Sequence, residues 1–456
     1  MDNRNSPLAT RHSPLVTHSP LILLLIVYFL MGGLYAVLTP AWETPDEPAH
    51  YNYVRQLANG RFPIMEAGDY DQEYLITAVF EEHFSPAYPI DPISYEDWQP
   101  PLYYLLQTPV YQLSNGSLIA MRLFSLFIGA GVVVMAYLTA RRIFPNEEWL
   151  VWTTAVFVAL LPQHLAMMAS VNNDSFAELI IATLLWLLVG IVARPKKEEL
   201  RRLRRFTQMD KEWLGVGVLL GLGFLTKGTV YTMGFIVLGL LIWRFWGDWR
   251  NLIRTGLLVF VPAGLLASLW WGRNLIVYGG FDIFGKTTHD AVVIGQPRTA
   301  DWIADLGAVE VVRRFLTTTF HSFWGQFGWM TVPMNGRVYQ LLGLLSAAAL
   351  VGFLLHLFNK RGKRPSAAMV LLTAVFLFSI AVHVGYNITF VQHQGRYLFP
   401  ALIPIALAGA IGLGVWIRPF ARRYQWLNYA VPAGLALFLL TLNLYALFRV
   451  ILPALA

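Results

Sequence analysis

Residues 21–50 read LILLLIVYFLMGGLYAVLTPAWETPDEPAH. An apolar run over 21–38 gives way at once to a polar stretch that carries Asp46, Glu47 and His50. A hydrocarbon core needs about 20 apolar residues per helix, so the run is a membrane span and the acidic stretch marks the point where the chain leaves the bilayer. Thr44-Pro45-Asp46-Glu47 reads as a helix start. Thr44 suits the N-cap, Pro45 the first helical position, and Glu47 the place three residues after the cap. His50 then falls one turn on from Asp46 and Glu47, on roughly the same face. Two adjacent carboxylates and an imidazole at a membrane edge make a candidate active centre.

The composition places the whole chain in the membrane. Only 13% of the 456 residues are charged and 56% are hydrophobic, with a mean hydropathy of +0.51. Soluble domains carry about 25% charged residues. There is no cysteine, which excludes disulfides, thiol nucleophiles and thiolate metal sites. The run 21–38 ends without an A-x-A-like cleavage pattern and further apolar stretches follow, so a retained first helix is expected after a cytoplasmic tail, 1–20. Spans are expected also at 122–143, 149–169, 175–193, 213–228, 229–245, 255–271, 338–358, 366–386, 396–416 and 427–448. That makes an all-α polytopic bundle of about eleven transmembrane helices forming one domain, 21–456.

Charge sets the orientation. With the N-terminus inside, the inner segments hold 22 of the 34 Lys and Arg residues, including the run RPKKEELRRLRRFTQMDK at 194–211. This matches the positive-inside rule, and the run reads as a topology signal in contact with anionic lipid. The net charge of +7 therefore points to membrane lipids and not to nucleic acid. The acidic residues gather on the opposite, outer side, mostly in two long loops, 39–121 and 272–337. The first ends in PLYYLLQTPVYQL (101–113), short for a span and aromatic enough for an interfacial helix. The second holds a helical-looking piece (300–316) and the aromatic cluster 323–329, which suits either an interfacial belt or the wall of a groove. No internal repeat is visible, which weighs against transporters built from two related halves.

The outer polar groups form a constellation. Asp46, Glu47 and Asp174 supply carboxylates; Lys227, Arg273 and Arg396 stand at helix ends on the same side, with His50 and His393 able to join them. Ionisable groups at a membrane edge are costly and usually face a cavity or a partner. Carboxylates beside cations suit a reaction in which a base takes a proton from an acceptor hydroxyl and cations hold a leaving phosphate. Plainer roles compete: a capping-box glutamate for Glu47, a helix-dipole contact for Asp46 and snorkelling for Lys227. Glu47-x-x-His50 also matches half of a di-iron motif, but no second copy is present. A carboxylate pair with an imidazole can bind a divalent metal, though hard cations recruit more oxygens; no cofactor is assigned.

The pieces PDEPAH (45–50), QPPLYY (99–104), NNDSFAEL (172–179), FLTKG (224–228), RNLIVYGG (273–280), FWGQFGW (323–329) and QGRYLFPALIPI (394–405) together resemble the GT-C superfamily of membrane glycosyltransferases. That superfamily includes protein O-mannosyltransferases and aminoarabinose lipid A transferases, and the similarity is strongest to a largely uncharacterised bacterial branch. It spans about residues 20–416. The resemblance implies a GT-C-like fold in the cell membrane and an inverting transferase. The enzyme would move a sugar from a polyprenyl-phosphate donor to a glycan, lipid or protein hydroxyl at the outer face. It implies Asp46 as catalytic base with Glu47 beside it, Asp174 as the second acidic position and Arg396 as a donor-phosphate ligand. The oligosaccharyltransferase branch has Asp-x-Asp in its first loop where this chain has Asp46-Glu47, which sets metal-dependent oligosaccharide transfer apart. The rival class is a secondary transporter or flippase, which would need ionisable groups near the centres of several spans; a third is a glycan-binding scaffold.

Overall fold

The computed structural model describes residues 14–194, 208–359, 365–421 and 423–455. Most of the basic run 194–211, the cluster 360–364 and residues 1–13 of the tail lie outside them. The chain is helical almost throughout: α1 (Pro14–Leu38), α2 (Glu47–Ala58), α3 (Gln72–Ile76), α4 (Leu102–Leu113), α5 (Leu118–Ile143), α6 (Glu148–Leu160), α7 (Pro162–Met168), α8 (Asp174–Val192), α9 (Gln208–Phe224), α10 (Tyr231–Arg244), α11 (Trp249–Tyr278), α12 (Lys286–Val292), α13 (Thr299–Leu306), α14 (Ala308–Trp324), α15 (Gly336–Asn359), α16 (Ala367–Thr389), α17 (Leu402–Ala421) and α18 (Leu427–Tyr445). Among the described residues the only sheet is a two-stranded hairpin, Gln326–Phe327 with Val332–Pro333.

Among the described residues, eight helices are long and apolar enough to cross a membrane. A ninth candidate is the pair α6 and α7, bent by 57°. The bend falls where Pro162, at the first turn of α7, has no N–H to continue the ladder. The other two expected spans are shorter: α9 has 17 residues, and Gly228–Arg244 is a short apolar helix. Neither is long enough to count beside the eight. The long connections hold α2–α4 and α12–α14. Gly307, at φ 81, separates α13 from α14, so the single helical piece expected at 300–316 is two.

The core lies between α1, α5, α6, α8 and α17, whose contact faces bury mainly aliphatic residues and alanine, with Tyr28 and Tyr35 from α1. Helices have no hydrophobic drive to associate inside lipid, so close contact comes from small residues. At the α15–α17 crossing a Cβ on Gly412 would stand 1.9 Å from the carbonyl oxygen of Ala349; only glycine lets these backbones meet.

One buried ion pair ties together the end of the bundle where α1 meets α2. The Arg122 guanidinium donates from Nε and Nη2 to Glu47 (2.8 and 2.6 Å), from Nη1 to the carbonyls of Ala36 and Thr39 (3.1 and 2.7 Å), and from Nη2 to that of Pro40 (3.0 Å). All five of its N–H donors are used. Ala36 needs such a donor because the residue four positions on is Pro40, which has no N–H. Arg122 thus caps α1 with positive charge at its C-terminal end and holds α2 beside it.

Candidate functional site

The sequence suggested a helix beginning at Thr44, with Pro45 first. The structure starts α2 later. Asp46 is the N-cap, with left-handed backbone (φ 69), and Pro48 occupies the first turn. Asp46 makes no side-chain cap bond, because its carboxylate is used elsewhere. Oδ1 accepts from the Tyr95 hydroxyl at 2.9 Å, and Oδ2 is ion-paired to Arg396 Nη2. A non-glycine residue at positive φ stores strain, and such strain collects at functional positions. Asp tolerates it better than most residues.

The two adjacent carboxylates diverge. Glu47 is fully buried, chelated by Arg122, and accepts from the Val171 N–H at 3.0 Å. Neither of its oxygens belongs to the cluster around Asp46, and it makes no capping-box bond.

Three other elements bring their side chains to Asp46. Asp174 opens α8 after a turn in which its N–H bonds Asn172 Oδ1 at 2.8 Å, and its carboxylate meets Lys227 Nζ at 2.6 Å. Lys227 is extended in the turn between α9 and α10, and this turn is pinned by the Leu102 N–H on the Leu225 carbonyl at 2.8 Å. Arg396 follows Gly395, where a Cβ would stand 2.3 Å from the Thr319 carbonyl oxygen. Glycine lets this turn press on α14 and aims Arg396 at Asp46. The Arg396 Nε and Nη1 groups are buried and have no hydrogen-bond partner. Arg122 is saturated; Arg396, with one of its nitrogens engaged, keeps donors for an anion.

His50 is buried, and burial and Lys227 push its imidazole down to about 3, so it is neutral. The Tyr104 hydroxyl accepts from Asn173 Nδ2 (3.2 Å) and lies 2.8 Å from His50 Nδ1. With Tyr104 donating to Nδ1, the ring proton sits on Nε2. Burial raises the Asp46 carboxyl, but the Arg396 guanidinium, together with His50 and the Tyr95 hydroxyl, holds it below its ordinary range.

Arg273 and His393 stand apart from this cluster. Arg273 bonds the Pro63 carbonyl and packs its guanidinium on Trp270, Tyr278 and Phe62, 4.9–5.4 Å from the ring centres. His393 is wedged edge-on against Trp302 and Phe315. Trp270 and Tyr278 are sequence neighbours of Arg273, whereas Phe62, and the Trp302 and Phe315 rings around His393, come from distant parts of the chain. Among the described residues no three His, Asp or Glu side chains form a metal-ligating group. Asp46 and Asp174 each face a cation, Arg396 and Lys227.

The sequence reading missed Glu96 and Tyr95, although Tyr95-Glu96-Asp97-Trp98 sets two acids between aromatics in the same loop. Glu96 is pushed up to about 8, by burial first and then by Asp46, and one of its oxygens is buried without a partner. The folded protein keeps a proton that the unfolded chain releases near pH 4.5. The stability this acid contributes is present below that pH and is lost as pH rises to about 8. Glu96→Gln removes that loss. Thermal unfolding in detergent is expected to show the variant gaining several degrees over wild type between pH 5 and 8, with no further gain above. A difference that stays flat across this range would show that Glu96 is ionised throughout.

The fold aligns with solved membrane enzymes of the GT-C type. An oligosaccharyltransferase from Archaeoglobus fulgidus, crystallised with a tethered acceptor peptide, matches over 95% of this chain with a TM-score of 0.54 and 14% identity. This chain spans 54% of that protein's length. ArnT from Cupriavidus metallidurans matches in its apo state (TM-score 0.52) and bound to undecaprenyl phosphate (TM-score 0.50). Both are 15% identical and cover 96% of this chain and 74% of ArnT. At such identities the shared property is the fold, a GT-C-like polytopic membrane bundle, as the sequence resemblance implied. The chain belongs to a family described as predicted membrane protein (DUF2142), whose model matches residues 92–406. No curated protein matches the sequence.

Proposed function

We propose that this protein is an inverting glycosyltransferase that moves a hexosyl or pentosyl group from a polyprenyl-phosphate donor to an acceptor hydroxyl at the outer face of the cell membrane. The observation that carries this is Arg396, buried at the bundle's end with two unpaired guanidinium nitrogens beside Asp46. Charge-assisted, fork-like donors of this kind suit a phosphate. A polyprenyl lipid would bring its phosphate to this depth, and the likeness to a fold solved with undecaprenyl phosphate supports the same ligand. The lysine and arginine bias of the opposite end supports a cytoplasmic N-terminus.

Asp46 takes the proton from the acceptor hydroxyl. The oxygen attacks the anomeric carbon in line, and the bond from that carbon to the phosphate oxygen breaks. The lipid phosphate leaves with one more negative charge, which Arg396 and Lys227 neutralise. Donor phosphate competes with Asp46 for Arg396, and this competition raises the basicity of Asp46 when the donor is present. Neutral Glu96 and the Nε2–H of His50 are donors for sugar hydroxyls. A transporter needs ionisable groups along its spans. Here Arg122 and Glu178 are each the fifth residue of their helices, at the end shared with Asp46, which favours a site at the surface.

Binding of labelled undecaprenyl phosphate to protein in nanodiscs tests the assignment. Arg396→Gln is expected to weaken it at least tenfold, the size of one lost charge-assisted contact, ~1.5–3 kcal/mol. Unchanged binding would remove Arg396 from the donor site, and no binding by wild type would count against the transferase.

A further inference from the structure

We propose that a second site, a polar cavity of about 470 Å3 between α2 and the first long connection, holds an oligosaccharide chain whose terminal hydroxyl is the acceptor. The proposal rests on the transferase reading for what is transferred, but not for the binding itself.

The cavity wall is built by one helical stripe. Asn52, Arg55 and Gln56 of α2 and its C-cap Asn59 all line it, spaced i, i+3, i+4 and i+7 along one face. The opposite wall comes from residues 61–69 and 91–97 of the first long connection. Two fully buried side chains in the lining have unused acceptors. Asn52 donates its amide to the Ile90 and Ile93 carbonyls (2.6 and 2.9 Å) and leaves Oδ1 without a partner. Asp97 accepts from Gln56 Nε2 at 2.7 Å through Oδ2 and leaves Oδ1 without one. A buried polar atom without a partner is costly, and a ligand that supplies hydrogen bonds relieves the cost. Burial pushes the Asp97 carboxyl up to about 8, so it offers a donor as well as an acceptor.

The lining sets the ligand class. Amides, a neutral acid and the exposed Arg61 supply donors and acceptors on both walls, while Phe62, 44% exposed, gives one flat apolar face. Of the charged groups Arg55 is already paired with Asp91 at 2.9 Å, and Asp69 accepts from the Glu66 N–H at 2.6 Å. The Glu66 and Asp69 carboxylates share the lining with Arg61, so there is no excess of positive charge to call for an anion. This pattern suits a neutral polyhydroxyl ligand. It does not suit a lipid chain, and no sheet edge is present there to receive a peptide strand. The volume lies within the 300–1,000 Å3 typical of ligand sites.

Position links the cavity to the chemistry. Along α2, at about 1.5 Å per residue, Asn52 is ~9 Å and Asn59 ~20 Å from Asp46. A ligand seated there therefore begins one or two helical turns from the base, so only a chain of several units fills the cavity and still reaches Asp46. Tyr95-Glu96-Asp97 joins the two places. Tyr95 binds Asp46, and Asp97 lines the cavity.

The test is retention of nanodisc-held protein on an array of immobilised oligosaccharides of two to six units, with monosaccharides and peptides as controls. Wild type is expected to retain at least one oligosaccharide tenfold above its monosaccharide. Asn59→Trp, which fills the mouth from an exposed position, and Arg61→Glu are each expected to lower this at least tenfold while keeping the wild-type thermal midpoint. No retained oligosaccharide, preference for peptides, or equal retention by both variants overturns the proposal. Undecaprenyl phosphate binding measured on the same samples separates the two claims. Lipid binding without glycan retention overturns the cavity alone; glycan retention without lipid binding leaves the cavity and overturns the transferase.

Discussion

Asp46→Asn is expected to lower sugar transfer from a polyprenyl-phosphate donor about 1,000-fold, within the range of a lost general base, while donor binding persists or tightens. The asparagine keeps the shape of the side chain, accepts the Tyr95 hydroxyl, and tolerates the left-handed backbone at this position. It cannot accept the acceptor's proton. It also releases Arg396 from its ion pair, so the guanidinium gains freedom to bind the donor phosphate. The two effects oppose each other in KM and kcat: kcat falls steeply and the donor KM stays or drops. Single-turnover transfer in nanodiscs, run beside undecaprenyl phosphate binding, reads both. Transfer within threefold of wild type would move the base to Asp174, the other carboxylate of the cluster, whose salt bridge to Lys227 would then have to open.

Much of this architecture was open to reading in the sequence, and the limits of that reading have physical causes. Apolar runs report the membrane directly, since a span must be apolar along its length. The end-of-helix positions of Asp46, Asp174, Lys227 and Arg396 were legible for the same reason: charges in such a chain stand out at the edges of spans. The partners were not legible. Asp46 and Arg396 are 350 residues apart, and Glu47 and Arg122 are 75 apart; nothing local distinguishes the arginine that is saturated from the one with free donors. The helix start was misplaced because a Thr-Pro-x-Glu pattern speaks only for local capping, and here tertiary partners took both carboxylates. Arg273 and His393 carry the right chemistry at the right end of the bundle, but aromatic rings claim them. Glu96 escaped notice because its character comes from burial beside Asp46, which its sequence neighbours do not reveal.

Arg122→Met is expected to be among the most damaging single substitutions in the chain, costing about 3–5 kcal/mol, because it strands a buried carboxylate. Glu47 would lose both guanidinium bonds and keep only the Val171 N–H, while the carbonyls of Ala36, Thr39 and Pro40 lose their donor at the end of α1. Glu47→Gln strands the opposite charge, but its amide oxygen still accepts from Arg122, so a smaller loss is expected. In the double variant Glu47→Gln/Arg122→Met neither charge is left uncompensated. Its destabilisation is expected to fall at least 2 kcal/mol short of the sum of the singles, the coupling typical of a directly contacting pair. The cycle, read by denaturant or thermal unfolding in one detergent, also decides what Glu47 does. A structural Glu47 shows strong coupling and a loss of folded yield, with transfer per folded molecule falling far less in Glu47→Gln than in Asp46→Asn. Additive singles, together with a folded Glu47→Gln protein as inactive as Asp46→Asn, would instead make both members of the acidic pair catalytic.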